Sequence, residues 1–305
     1  MASRPRWWSF AAVGGLVVVN VVLIALLVLR PTAPSVDERS EAAGATAEGP
    51  QQEIDESGSR RAKQDPGELA PAEGVESLPQ AQRLLVNLDA TTAWRATVGD
   101  CAHPGALEHT VDGGRTWQAR PLELAPVSRL RVLGAESLFA IGGGADCEPT
   151  YVSSANAGAS WSTHDEYLSG SWYQLPDDRD VLSTPVGEVD APCEVVELAA
   201  LNAVNAAVLC ADASLALTQD GGASWSGSEP GMDVEAVGVA ADAYAIAGAD
   251  DSCGDRLAVA TMSIDGAAEP VCTDEGADVT QIAVSASAGA MWLWLDDHVV
   301  VATDW

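Results

Sequence analysis

Forty-five carboxylates, four histidines and six cysteines are the side chains of this sequence best able to do acid–base, metal or redox chemistry. Their spacing decides how much of that chemistry is available. His103, His109, His164 and His298 are scattered, with no spacing suited to a metal site or a Ser–His dyad. Carboxylate pairs for glycoside hydrolysis are so abundant that none is singled out. Two clusters, Asp177-Asp178-Arg179-Asp180 and Asp250-Asp251 with Asp255, offer carboxylate oxygens to a hard cation. Neither has EF-hand spacing, so no cofactor is expected, with Ca²⁺ the one alternative. The stretch from Tyr167 to Pro192 sets Trp172 and Tyr173 beside Asp177, Asp178, Arg179 and Asp180. Aromatics and an arginine in a long loop on a rigid scaffold suit a binding surface. The competing reading is an extra hairpin with Trp172 and Tyr173 buried in it.

What must position these residues is a repeated corner. Thr110, Asp112, Gly114, Thr116 and Trp117 recur as Ser154, Asn156, Gly158, Ser160 and Trp161, and again as Thr218, Asp220, Gly222, Ser224 and Trp225. A fourth copy, Ser263-Ile264-Asp265-Gly266, begins correctly and then decays. Asp or Asn bonds backbone N–H groups two residues on, glycine supplies positive φ, and the Trp opens an outgoing strand. The acidic residue is therefore a turn staple. Intervals of 44, 64 and 45 residues between the acidic positions match propeller blades of short strands.

The corners resemble the Asp-box, or BNR, repeat of β-propellers, found in sialidases, sortilin-type receptor domains and photosystem-assembly-factor-like propellers. The resemblance implies an all-β propeller, here of about five four-stranded blades, with six or seven the open alternatives. Units run over 84–120, 128–164, 194 to beyond Trp225, 234–271 and 280–302. The last lacks a fourth strand, which residues 75–82 are expected to supply, since an open sheet edge is a liability. The long second interval leaves about 20 residues for a partial blade.

Sialidases also imply three arginines on the substrate carboxylate, a Tyr–Glu pair, an acidic general acid and an aromatic-Arg-Ile-Pro motif. The propeller's arginines are Arg83, Arg95, Arg115, Arg120, Arg129, Arg131, Arg179 and Arg256. Arg115 lies in a corner, and Arg120-Pro121 follows Ala119, so the motif is absent.

Residues 1–8 are expected to be cytoplasmic, and 9–29, free of charge, to span the membrane as one helix of roughly 30 Å. Arg4 and Arg6 before the span set that orientation. A cleaved signal peptide is the competing reading, disfavoured by the span's length and the lack of a clean cleavage site. Residues 30–78, acidic and poor in large apolar side chains, read as a disordered linker. Residues 79–305 form the extracytoplasmic propeller.

Cys101, Cys147, Cys193, Cys210, Cys253 and Cys272 all fall in that region and imply disulfides. Fifteen pairings are open; the preferred one is Cys193–Cys210, Cys253–Cys272 and Cys101–Cys147.

A formal charge of −30 argues against nucleic acid as a partner. The expectation is a membrane-anchored, non-catalytic binding, scaffold or assembly module for a protein or cell-envelope component. A sialidase-like glycoside hydrolase is the alternative.

Overall fold

The computed structural model describes residue 78 and residues 81–176, 178–264, 266–267, 269–287 and 289–303. The expected span over 9–29 and nearly all of the linker lie outside them. No helix of the described residues is long and apolar enough to cross a membrane.

The fold is an all-β propeller of antiparallel meanders. The first sheet holds β1 (Arg83–Asn87), β2 (Ala93–Thr97), β3 (Leu107–Thr110) and β4 (Gln118–Arg120). The second holds β5 (Val127–Val132), β6 (Leu138–Gly143), β7 (Pro149–Ser154) and β8 (Ser162–Thr163). The excess residues after the second corner form a smaller sheet of β9 (Tyr173–Gln174), β10 (Val181–Thr184) and β11 (Gly187–Asp190). Next come β12 (Val195–Ala200), β13 (Ala206–Cys210), β14 (Leu215–Thr218) and β15 (Ser226–Ser228). After them β16 (Asp233–Ala240) and β17 (Ala243–Ala249) lead to β18 (Arg256–Ser263), whose far edge takes both β19 (Gly266–Ala267) and β20 (Val271–Gly276). The last sheet is β21 (Ile282–Ser287), β22 (Ala290–Leu295) and β23 (His298–Thr303).

The expected set of about five four-stranded blades is thus corrected: four sheets reach that width, and the last has three strands among the described residues. Strands β1, β5, β12, β16 and β21 ring a central channel of about 230 Å³. Burial is greatest on the second strand of a sheet and least on the outermost, with the channel-lining β1 and β5 in between. The second strands β6, β13 and β22 are buried along their whole length, whereas β4, β8 and β15 are mostly exposed. A central strand covered on both faces must be apolar throughout, and Ala-Ala-Val-Leu-Cys in β13 and Ala-Met-Trp-Leu-Trp-Leu in β22 are.

The corners fold as local hydrogen-bond cages. Thr110 Oγ1 donates to Asp112 Oδ1 at 2.9 Å and accepts from Gly114 N at 3.2 Å. Asp112 in turn accepts from Thr116 N at 2.9 Å and Thr116 Oγ1 at 2.6 Å. These donors, Thr116 foremost, hold the Asp112 carboxyl down at about 2. Thr218, Asp220, Gly222 and Ser224 repeat the arrangement. In the second copy Asn156 reverses one bond, its Nδ2 donating to Ser160 Oγ at 2.8 Å. Of the fourth copy, Asp265 lies outside the described residues.

The first and last sheets meet through side chains. Ser285 Oγ donates to Asn87 Oδ1 and Asn87 Nδ2 to Ser287 Oγ, both at 2.8 Å. Trp292 Nε1 donates to Asp89 O at 2.9 Å. The guanidinium of Arg83 lies 4.5 Å from the Trp294 ring centre, and that of Arg95 lies 4.2 Å from Trp117 and 4.8 Å from Trp294. The strand expected from 75–82 for the last sheet is not what its described residues do. Leu78 N donates to Ala211 O at 2.6 Å and Ala81 N to Val196 O at 3.4 Å, both in the β12–β15 sheet. Leu78 and Ala81 are drawn there by the apolar cluster around Val196, Leu209 and Ala211.

Three disulfides pair Cys101 with Cys147, Cys193 with Cys210 and Cys253 with Cys272. The first ties neighbouring sheets, from the β2–β3 loop to the β6–β7 loop.

Strands β16 and β21 touch in one parallel bridge, Ala240 to Ala286, and Gly238 makes the approach possible. A Cβ on Gly238 would lie 1.9 Å from Val284 O, a backbone atom that cannot swing away. Gly238→Ala is expected to cost about 1–3 kcal/mol, read as a lowered urea midpoint. Gly134→Ala, with nothing within 4 Å of the new methyl, should leave the midpoint unchanged.

Candidate functional site

Strand β5 reads Val-Ser-Arg-Leu-Arg-Val. Residues two apart on a strand share a face, so Arg129 and Arg131 project together. The register extends the row: Arg129 pairs with Ile141, which pairs with Tyr151, while Arg131 pairs with Phe139. One face of the second sheet therefore carries two guanidiniums and an aromatic floor. Phe139 and Tyr151 stack at 5.0 Å, and Tyr167, from the turn over Asp165–Tyr167, meets Tyr151 edge-on at 5.5 Å.

A full neighbouring blade would cover this face, but β9 is only two residues long. Tyr173 seals the part nearest the axis by packing on Phe139 and Ile141. The rest stays open as a cleft of about 370 Å³, floored by Phe139 and Tyr151 and rimmed by Tyr167, Gly170 and Asn202. Tyr167 is 54% exposed at its edge.

Both arginines also border the central channel. Arg129 Nη1 donates to Trp172 O at 2.9 Å, and Arg131 Nη1 donates to Ala200 O at 2.7 Å. They fill the gap between β5 and the units that follow. Burial, and then the neighbouring Arg131, lower the Arg129 guanidinium to about 10. Burial also lowers Arg131. Arg129 lies 5.3 Å from the Phe139 ring centre.

Glu197, which also lines the channel, is buried on β12, and one of its carboxyl oxygens accepts from Val237 N at 2.9 Å. Burial outweighs that bond and pushes its carboxyl up to about 8.

The residues that sequence grouped for recognition are separated. Trp172 is 1% exposed, donates from Nε1 to Asn202 O at 2.9 Å and meets Trp225 edge-on at 6.1 Å. Tyr173 is buried as well. Asp178, Arg179 and Asp180 are exposed on the turn between β9 and β10, where Asp178 Oδ1 accepts from Asp180 N. Asp177 lies outside the described residues. Asp250 is engaged by Ser252, and among the described residues no three His, Cys, Asp or Glu side chains gather as a metal site.

The remaining arginines serve elsewhere. Arg115 Nε donates to Asp112 O, Arg120 reaches His109 Nδ1, and Arg95 pairs with Glu108 at 2.7 Å. Sequence had weighed Arg129 and Arg131 only as members of an arginine triad. Their i, i+2 spacing inside a strand was the signal for a joint site. Glu197 gave its own signal, as a lone acid in the apolar run Val195-Val196-Glu197-Leu198.

No family model matches the sequence, and no curated protein does. Among solved structures the chain is similar to YCF48 bound to D1 peptide, at 18% identity over 75% of this chain and 84% of that one, with a TM-score of 0.35. It is similar to the Aleuria aurantia lectin in complex with Fucalpha1-6GlcNAc, at 10% identity over 75% and 96%, with a TM-score of 0.40. AofleA from Arthrobotrys oligospora follows at 8% identity over 75% and 88%, with a TM-score of 0.43. At such identity and overlap, what those proteins bind stays with them.

The buried carboxyl gives a pH dependence. Unfolded, Glu197 loses its proton near its ordinary value of 4.5; folded, it keeps it to about 8. Across that window the native state holds the extra proton, so this group's contribution falls as pH rises. Glu197→Gln removes the titrating group. Urea midpoints of the variant relative to wild type should climb steadily from pH 5 to pH 8. A constant difference would show that Glu197 titrates normally.

Proposed function

We propose that this chain is a membrane-anchored, extracytoplasmic propeller of the Asp-box type that binds a protein or cell-envelope partner without transforming it. The observation that carries this reading is the cleft beside the undersized β9–β11 sheet. It is an open concavity on a rigid scaffold, floored by stacked aromatics and walled by two arginines. Aromatic and arginine side chains in a partly enclosed pocket are the types that anchor partners most strongly.

Three disulfides support an oxidising compartment. Together with the apolar stretch over 9–29, they favour a propeller held outside the membrane. The corner cages, with a hydroxyl residue bonded to Asp or Asn and to the glycine N–H, support kinship with Asp-box propellers. The hydrolase alternative needs three arginines aimed at one substrate carboxylate. The cleft offers Arg129 and Arg131, while Arg83 and Arg95 are committed to tryptophan faces.

A photoreactive phenylalanine analogue placed at position 167 in the full chain, expressed in its own cells, tests the reading. A discrete adduct is expected from position 167 and none from position 111, an exposed site on the first corner that does not line the cleft. Equal adducts from both positions would overturn it. So would turnover of a fluorogenic sialoside by the full chain that disappears with Arg129→Lys.

A further inference from the structure

We propose that Arg129 and Arg131 form an oxyanion-recognition site, which takes one carboxylate or phosphate group of the ligand held in the cleft. The proposal rests on the reading of the cleft as the binding surface and supplies the ligand's chemistry.

The first ground is an unbalanced charge. A guanidinium offers five N–H donors and stays protonated in proteins, so a buried one needs acceptors and a counter-charge. Each of these two places only its Nη1 on a single backbone carbonyl, Trp172 O for Arg129 and Ala200 O for Arg131. Among the described residues neither is in an ion pair, although Arg95 on the neighbouring sheet pairs with Glu108 at 2.7 Å. The sequence has 45 acids, and an acid opposite β5 would be an easy solution. The acid facing the same channel, Glu197, instead turns to the Val237 amide.

The second ground is arrangement. Two like charges on one strand face repel, and the Arg131 charge helps to lower the Arg129 guanidinium to about 10. Side-by-side guanidiniums become favourable when one oxyanion bridges them, because planar forks match carboxylate and phosphate oxygens. The cleft opens directly onto them, with Tyr151, Tyr167 and Ser169 in its lining to complete the contacts.

The third ground is selectivity. A formal charge of −30 repels polyanions at long range. Only a ligand with a local anionic group on an otherwise neutral or basic body gains at the arginines without losing on approach.

The test uses the full chain in a neutral detergent and Tris chloride, at constant ionic strength and free of carboxylate and phosphate. Thermal shift and calorimetric titration follow acetate, benzoate and inorganic phosphate in turn. At least one probe should raise Tm saturably. Arg129→Gln and Arg131→Gln should each weaken that probe about tenfold or more, with Arg129→Lys between them and wild type. Arg256→Gln, an exposed arginine on β18, should bind as wild type does. Response to acetate or benzoate alone assigns a carboxylate ligand, response to phosphate alone a phosphorylated one, and either supports the site. Should Arg129→Gln fail to fold, Arg131→Gln and Arg129→Lys still decide the matter.

No saturable response in wild type, or equal affinity in the β5 variants, overturns the proposal. The photo-adduct from position 167 separates the two levels. If it persists undiminished in Arg131→Gln, the cleft binds its partner without the arginines, and the anion site falls while the binding reading stands. If wild type yields neither adduct nor anion binding, both fall.

Discussion

A small sheet with apolar side chains on both faces cannot be stable alone, and every structural feature of this propeller answers that constraint. Each sheet is covered by its neighbours, and a tryptophan recurs at the joints. Trp94 of the first sheet donates its Nε1–H to Ala157 O in the second corner. Trp172, just before β9, donates to Asn202 O in the β12–β13 loop. Trp292 of the last sheet donates to Asp89 O in the β1–β2 loop. All three are essentially fully buried. A buried indole contributes several kcal/mol of packing, and its one polar atom must find a carbonyl. The corner cages hold backbone still enough to receive these neighbours. Gly114 lies against Trp292 and Gly222 against Trp172, so the same glycine that permits the turn also leaves room for the joint.

Seen this way, β9–β11 occupies a blade's position while lacking a blade's size. Trp172 does for the β12–β15 sheet what Trp292 does for the first one. Its side of the joint is satisfied, whereas its other side is not. A two-residue β9 covers Ile141 and part of Phe139 and leaves Arg129, Arg131 and Tyr151 facing a gap. The cleft is therefore a consequence of incomplete coverage, held open because the sheets around it are closed.

This also explains which parts were legible in the sequence. Corner chemistry is local: a hydroxyl residue, an acid or amide and a glycine within a few positions dictate their own hydrogen bonds, so the three copies could be read directly. Alternation and apolar runs gave most strands for the same reason. The cleft depends on relations across long separations, such as Arg129 to Trp172 O and Arg131 to Ala200 O, which no local pattern encodes. Trp172 and Tyr173 looked like recognition residues because an aromatic pair beside acids and an arginine looks alike whether it faces solvent or a neighbour. Residues 75–82 were assigned by the need to complete the last sheet, yet Leu78 and Ala81 follow apolar surface to the β12–β15 sheet instead. The six cysteines were legible as disulfide partners from their even number beyond the expected span, whereas which of fifteen pairings they form depends on how strands from different sheets come together.

The two kinds of buried charge at the channel settle their burial differently, and that difference gives the site its chemistry. A carboxyl can escape the cost of desolvation by keeping its proton, as Glu197 does with its titration pushed up to about 8. An arginine has no such exit. Even lowered to about 10, Arg129 is charged at any physiological pH. Backbone carbonyls supply dipoles but no net negative charge, so among the described residues the pair on β5 remains electrostatically unfinished. Closing the gap with a wider blade or an opposing acid would have stabilised the ring and abolished the cleft. Keeping both the undersized sheet and two arginines without an ion pair among the described residues leaves a cleft on a strongly acidic protein where a negative group gains by entering.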